Sequence, residues 1–341
     1  MAESGKKLIQ NIISSAVKFL IAAAVIVWFF RNQGHDLLSE VDKFNFLVLL
    51  PALLLTLLST WVSAIRWRDL AESSGISLTP GKAFSLTMQG MFFSLVIPGG
   101  AIGGDVVKMA ALSAHIRPGT RTEGFFSILM DRLVGMLALF LIAPVLLCCS
   151  RYLFTNIEID GLPWLNGSVL WWLLMGISLA GLGAGGAVLM HHRLEKIPGV
   201  KPLMDFLDRR SKGKVTRILA AADRCSARKG RLIYWVVLTV ILVHLLPAAG
   251  MYILLSGAGI AGAVVPVMTA VVMGNIAGLI PIFPGGIGGR DVVTVALLAA
   301  GGYPAESAAA AQLFSTALMI VFNLSGAVFF ICDRKNSGNI K

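Results

Sequence analysis

Val96-Ile97-Pro98-Gly99-Gly100-Ala101-Ile102-Gly103-Gly104-Asp105-Val106-Val107 has a partner further along the chain, Ile282-Phe283-Pro284-Gly285-Gly286-Ile287-Gly288-Gly289-Arg290-Asp291-Val292-Val293. Both runs carry Pro-Gly-Gly, a second Gly-Gly and Asp-Val-Val, with one residue shifted between the blocks. An amide stands nine residues before each motif proline, Gln89 and Asn275. The apolar limbs on either side are short: 83–97 and 106–114 for the first run, 263–280 and 292–300 for the second. A hydrocarbon core of roughly 30 Å needs about 20 helical residues to cross, so none of these limbs crosses comfortably alone. Short limbs around a Pro/Gly breaker read as re-entrant helical hairpins over 83–114 and 263–300. Such backbone is tolerated at depth where it is buried in protein or faces a wet cavity.

Outward from the two runs, six longer apolar stretches are candidate full spans: 12–30, 46–65, 124–148, 168–190, 232–255 and 311–331. The predicted fold is therefore an all-α polytopic membrane protein, a single membrane domain over 1–341 with about six full spans and two re-entrant hairpins. Composition agrees, because 56% of the 341 residues are apolar and 14% are charged, whereas soluble domains carry about 25% charged residues. The 36 glycines and 13 prolines also suit membrane helices better than a soluble helical core. A formal charge of +11 on such a chain points to anionic lipid at the cytoplasmic surface and not to nucleic acid. Cys148, Cys149, Cys225 and Cys332 show neither metal-ligand spacing nor a disulfide framework, and they read as packing thiols. No cofactor or metal is expected.

Lys and Arg collect on the cytoplasmic side of membrane proteins. Segment 191–231 holds twelve of them against Glu195, Asp205, Asp208 and Asp223, which places it inside. Segments 66–82 and 108–123 are also basic, so the first hairpin enters and leaves from the cytoplasm. The flanks 257–262 and 301–307 carry no Lys or Arg, so the second hairpin dips in from outside. Both termini are then cytoplasmic. The order span, hairpin, span occurs twice, over 46–148 and 232–331, with opposite starting sides, which makes an inverted repeat. Within 191–231, Leu203, Phe206 and Leu207, then Val215, Ile218 and Leu219, fall on helical faces and suggest two amphipathic helices on anionic headgroups.

Inverted repeats of broken helices are a recurring transporter plan with the substrate near the midplane. An ionisable group inside a span costs roughly 2.5–3.5 kcal/mol on insertion scales, so each marks a partner or a wet cavity. Arg132 and Arg290 read as phosphate-facing cations, because a guanidinium stays charged and grips phosphate oxygens bidentately. Lys108 sits one turn past Asp105. Asp105, Asp131 and Asp291 would orient these cations, offset them when the site is empty, or carry coupled protons. Gly99, Gly100, Gly103 and Gly104, with Gly285, Gly286, Gly288 and Gly289, permit close approach of backbone to a ligand, and Gln89 and Asn275 complete the candidate substrate-binding set. An internal ion-pair network that only fixes helix packing is the alternative for the Asp131-Arg132 and Arg290-Asp291 pairs. Arg66-Trp67-Arg68 reads as an interfacial anchor, and His244, beside Pro247, as a packing histidine more than a proton carrier. No catalytic residue is assigned.

The run Ile97–Asp105, the element Asp131-Arg132-Leu133-Val134-Gly135, the stretch Pro281–Gly288 and Arg66-Trp67-Arg68 together resemble the lysylphosphatidylglycerol synthase transmembrane family, also described as flippase-like or UPF0104. The resemblance covers nearly the whole chain. It implies a lipid flippase domain moving aminoacylated phosphatidylglycerol or related anionic and polyprenyl-linked lipids between leaflets, with polar cavities near the glycine motifs. About ten residues follow the last span, so a soluble aminoacyl-transfer domain is not expected there, and the acidic residue after the second glycine motif is offset to Asp291 behind Arg290.

The expectation is a translocase of the cytoplasmic (inner) membrane whose substrate is a lipid with an anionic phosphate headgroup, an anionic phospholipid or a polyprenyl-phosphate-linked lipid. No Gly-Lys-Ser/Thr follows the glycines, so direct ATP drive is not expected. Two other readings stay open. One is a membrane-embedded lipid-modifying enzyme, a headgroup transferase or phosphatase, which would need a nucleophile, base or metal near the phosphate. The other is a non-transporting scaffold for a membrane synthase or glycosyltransferase partner.

Overall fold

The computed structural model describes residues 41–97, 101–117, 119–155, 157, 166–190, 200–210, 214–226, 229–280 and 286–338. The expected span at 12–30 lies outside them, as do Gly99, Gly100 and Gly285. Every regular element among the described residues is helical. Among the described residues, five helices are long and apolar enough to cross a membrane: Phe46–Ser73, Arg121–Cys149, Gly167–Leu189, Gly230–Gly257 and Ala305–Asp333.

A 3-10 turn at Phe46–Val48 leads into α1 (Leu49–Ser73). The next pair is α2 (Pro80–Val96) and α3 (Ala101–Ser113). Thr79 caps α2 by accepting from the Lys82 N–H, and Pro80 opens the helix where no backbone donor is needed. The pair is antiparallel: Gly90 lies against Lys108, and Ser94 against Gly104. A side chain on Gly104 would overlap the Gly90 carbonyl oxygen, so the two backbones meet at a distance only glycine allows. At 17 and 13 residues the limbs reach about 25 and 20 Å, less than a bilayer core.

Helix α4 (Arg121–Cys149) follows, then α5 (Gly167–Leu189), and two short amphipathic helices, α6 (Val200–Arg210) and α7 (Lys214–Ser226). The fourth long apolar segment begins as α8 (Lys229–Thr239), widens to a π turn at Val240–Leu245 and continues as α9 (Leu246–Gly257). Pro247 has no N–H to offer the Val243 carbonyl four residues back, and the π turn lies where that bond is missing.

The second antiparallel pair is α10 (Val264–Ala277) and α11 (Gly289–Ala300). Gly274 meets Thr294, and Gly278 meets Gly286 and Arg290. Gly288, at φ 95°, caps α11 in a conformation that favours glycine, and the Asp291 carboxylate reaches back to accept its N–H at 2.8 Å. Helix α12 (Ala305–Leu324) stops at Ser325, and α13 (Gly326–Gly338) resumes. The break adjoins α2, where a Cβ on Gly326 would overlap the Met88 carbonyl. The expected span at 311–331 thus starts earlier and contains an interruption that hydropathy alone does not register.

Contacts define two ends of the bundle. At one, Arg231 of α8 pairs with Asp69 of α1, and Lys82 of α2 pairs with Asp333 of α13 beside His115. At the other, the Asn45 N–H donates to the Gly257 carbonyl at 2.9 Å, Phe44 stacks on Phe314 with centroids 4.0 Å apart, and Tyr303 donates to the Ala263 carbonyl at 2.9 Å. The α2/α3 pair opens at the first end and the α10/α11 pair at the second. The main apolar core lies between α4, α9, α10, α11 and α12. A second cluster unites Leu70, Phe126, Met130, Val134, Trp235 and Ala222. It includes Ile218 at its margin, so α7 lays its apolar face on the ends of α1, α4 and α8 and not wholly on lipid, while Phe206 of α6 is 57% exposed.

Candidate functional site

Asp131 and Arg132 are consecutive on α4, so their side chains leave the helix about 100° apart. That divergence connects three elements. Asp131 turns to α1 and accepts from Arg66 Nε at 2.8 Å. Arg132 turns to α3 and donates to Asp105. Lys108, one turn beyond Asp105, is 6% exposed and holds its amine 3.6 Å from the centroid of the Trp67 ring. A cation over an indole face gains about 0.5–2 kcal/mol, and the ring is itself fixed by Trp67 Nε1 donating to Ser127 Oγ at 3.3 Å. Among the described residues, Lys108 makes no ion pair with a carboxylate.

These groups line one cavity of about 340 Å³. Its walls are Ser63 and Arg66 of α1, Thr87 to Ser94 of α2, Asp105 and Lys108 of α3, Asp131 to Leu139 of α4, Val243 and His244 of the π turn, and Leu279 from the end of α10. His244 Nε2 lies 3.0 Å from the Gly135 carbonyl. A carbonyl only accepts, so that nitrogen carries a proton. Thr87 Oγ1 is buried without a hydrogen-bond partner in the same wall. Buried polar atoms are paired in the great majority of cases, so this one has capacity for a ligand or water. Among the described residues lining it, the basic side chains of Arg66, Lys108 and Arg132 outnumber the carboxylates of Asp105 and Asp131 by one.

Arg66 is a functional candidate that the anchor reading misses. It is 5% exposed, paired to Asp131, and its Nη1 donates to Thr239 Oγ1 at 3.0 Å. The signal in the sequence is Ser59, Ser63 and Arg66 at helical spacing, a polar stripe in an otherwise apolar span. His244 likewise joins the wall because the π turn carries it.

Arg290 and Asp291 form a separate centre. Arg290 donates to Asp291 Oδ1 and to Thr316 Oγ1, and its Nη1 lies 2.9 Å from the Met319 sulfur. The same Asp291 oxygen accepts from Gln312 Nε2 at 2.6 Å and Thr316 Oγ1 at 2.8 Å. Asp105 and Asp291 thus occupy matching places after their glycine runs, each accepting from the long helix that follows. The first centre leaves a cation facing a cavity, and the second is satisfied internally. The polar cavity does not include Arg290, Asp291, Gly286, Gly288 or Gly289. Gln89 is buried and directs its amide to Ser85 and Asp333, and half-buried Asn275 does not reach the cavity. Gly104 brings α3 against α2 beside it, and Gly103 is buried one residue earlier in the same helix.

Fold and cavity together define a polytopic helical membrane protein with a charged cavity among its helices. The chain belongs to the family described as the lysylphosphatidylglycerol synthase TM region, whose model matches residues 15–326. Comparison with curated proteins finds no match.

Proposed function

We propose that the protein is a lipid translocase of the cytoplasmic membrane, moving a lipid with an anionic phosphate headgroup between leaflets. The single observation that carries this reading is the charge imbalance of the polar cavity, three cations against two carboxylates with Lys108 held over Trp67. An anion offsets that excess, and in a site of low dielectric the attraction is far stronger than in water. A polar headgroup enters the cavity, and its charge-assisted hydrogen bonds to Lys108 and Arg132 replace those lost from water.

The two short helix pairs serve as re-entrant hairpins of an inverted repeat, α2/α3 from the cytoplasmic face and α10/α11 from outside, with both termini cytoplasmic. Rocking of one unit against the other exposes the cavity to alternate leaflets. The basic α6–α7 segment rests beside anionic headgroups.

Proteoliposomes reconstituted with the protein and a fluorescent phosphatidylglycerol provide the test. Movement of the reporter between leaflets is expected, with at least a tenfold loss in Lys108→Met and in Arg132→Ala at equal reconstituted protein. Unchanged movement in both variants rejects the proposal. Headgroup turnover by the purified protein would favour a lipid-modifying enzyme instead.

A further inference from the structure

A second cavity adjoins the polar one. It measures about 760 Å³, and every described residue lining it is apolar. Phe140 of α4, Leu174 and Ile177 of α5, and Val293 and Ala296 of α11 form its walls, and Leu279 lines this cavity and the polar one alike. On α4, the consecutive Leu139 and Phe140 face the polar and apolar cavities respectively. Ile177 and Leu279 are 51% and 40% exposed, so the apolar chamber is open to its surroundings.

From this geometry we propose that the apolar chamber seats one hydrocarbon chain of the same lipid whose phosphate occupies the polar cavity, with Leu279 at the junction. This rests on the translocase reading and adds a place for the tail. The described side chains of its wall offer water no hydrogen-bonding partner. Its volume lies within the roughly 300–1,000 Å³ typical of ligand pockets. A chain leaving the bilayer for such a chamber gains little hydrophobic energy, since lipid tails are as apolar as the wall. The chamber's contribution is positional: headgroup and chain are held by adjoining walls of one protein and move together.

The test uses the full chain in liposomes with a phosphatidylglycerol bearing a diazirine in the middle of one acyl chain. After illumination, adducts are expected on 170–177 and 292–297. Ala296→Trp fills the chamber without touching the polar cavity and is expected to lower these adducts at least fivefold. If that variant does not fold, Ala296→Leu is expected to lower them about twofold. Lys108→Met is expected to lower them as well, because the chain follows its headgroup. Adducts confined to other helices, or unchanged in the Ala296 and Lys108 variants, overturn the proposal. Equal labelling by a diazirine fatty acid overturns it too, as does cross-linking of Ala296→Cys to residues 12–30, which would show the chamber filled by the chain itself. Loss of lipid movement with adducts intact rejects translocation and keeps the tail seat. Movement with adducts absent rejects the tail seat alone.

Discussion

Arg66 Nε donates to Asp131 Oδ1 at 2.8 Å, with the two side chains 6% and 15% exposed. This pair joins α1 to α4 inside the bundle, and through Thr239 it reaches α8. A residue whose neighbours suggest a membrane-surface anchor is in fact an interior cation, and the polar cavity is built around it.

Removing one member of that pair leaves the other charge buried and alone. Arg66→Met or Asp131→Met alone is expected to destabilise the protein by about 3–5 kcal/mol, while the two changes combined lose less than the sum of the single ones. Thermal unfolding in detergent measures this. Additive losses would show that the two groups are not coupled.

Gly104 tests the close packing of α3 on α2. Its Cβ would meet a backbone carbonyl, which cannot rotate aside, so Gly104→Ala is expected to cost about 3 kcal/mol or more. Gly183, on α5, has nothing within 4 Å of the same position. Gly183→Ala is expected to be neutral or to stabilise by up to about 1 kcal/mol through helix propensity. Comparable folded yields for both variants would contradict the backbone contact.

Lys82 and Asp333 fasten α13 to the open end of the first hairpin, with side chains 20% and 17% exposed. Asp333→Ala is expected to speed amide exchange over 326–338 while shifting overall stability by only about 1 kcal/mol, because the pair is partly solvated. Exchange unchanged in that segment would mean that Gly326 packing alone holds the helix.

At the start of α7, Asp208 accepts from the Thr216 N–H at 2.8 Å, and this bond holds its carboxyl below the usual range. A carboxyl with a lowered folded pKa contributes stability that is present above the unfolded value, about 3.9, and lost as pH falls through the lower folded value. Amide protection at Thr216 is expected to fall over that acidic window, and Asp208→Asn is expected to remove the pH dependence. Protection that titrates identically in the variant would assign it to another group.

Five of the six expected spans coincide with long apolar helices, since a run of 20 or more apolar residues has few other ways to satisfy its backbone. The errors fall where neighbours intervene. The break at Ser325 depends on how closely Gly326 approaches Met88, and the burial of Ile218 depends on where α7 docks. Arg290 reads like Arg132 in one dimension, yet Asp291, Thr316 and Met319 surround it and it lies outside the polar cavity. Asp131 and Arg132 are adjacent letters, and only their divergence around α4 separates one into a buried pair with Arg66 and the other into a cavity wall with Asp105.

By itself, the amino-acid order determined the helical membrane class, most of the long helices, the two short pairs around glycine and the family. Those properties depend on local composition and spacing. Which charges neutralise each other and which face open space was decided by the tertiary structure, because electrostatic pairing falls off over a few ångströms and chain neighbours on a helix point in different directions. Lys108 acquires its place over Trp67 only when the fold brings α3 within side-chain reach of α1.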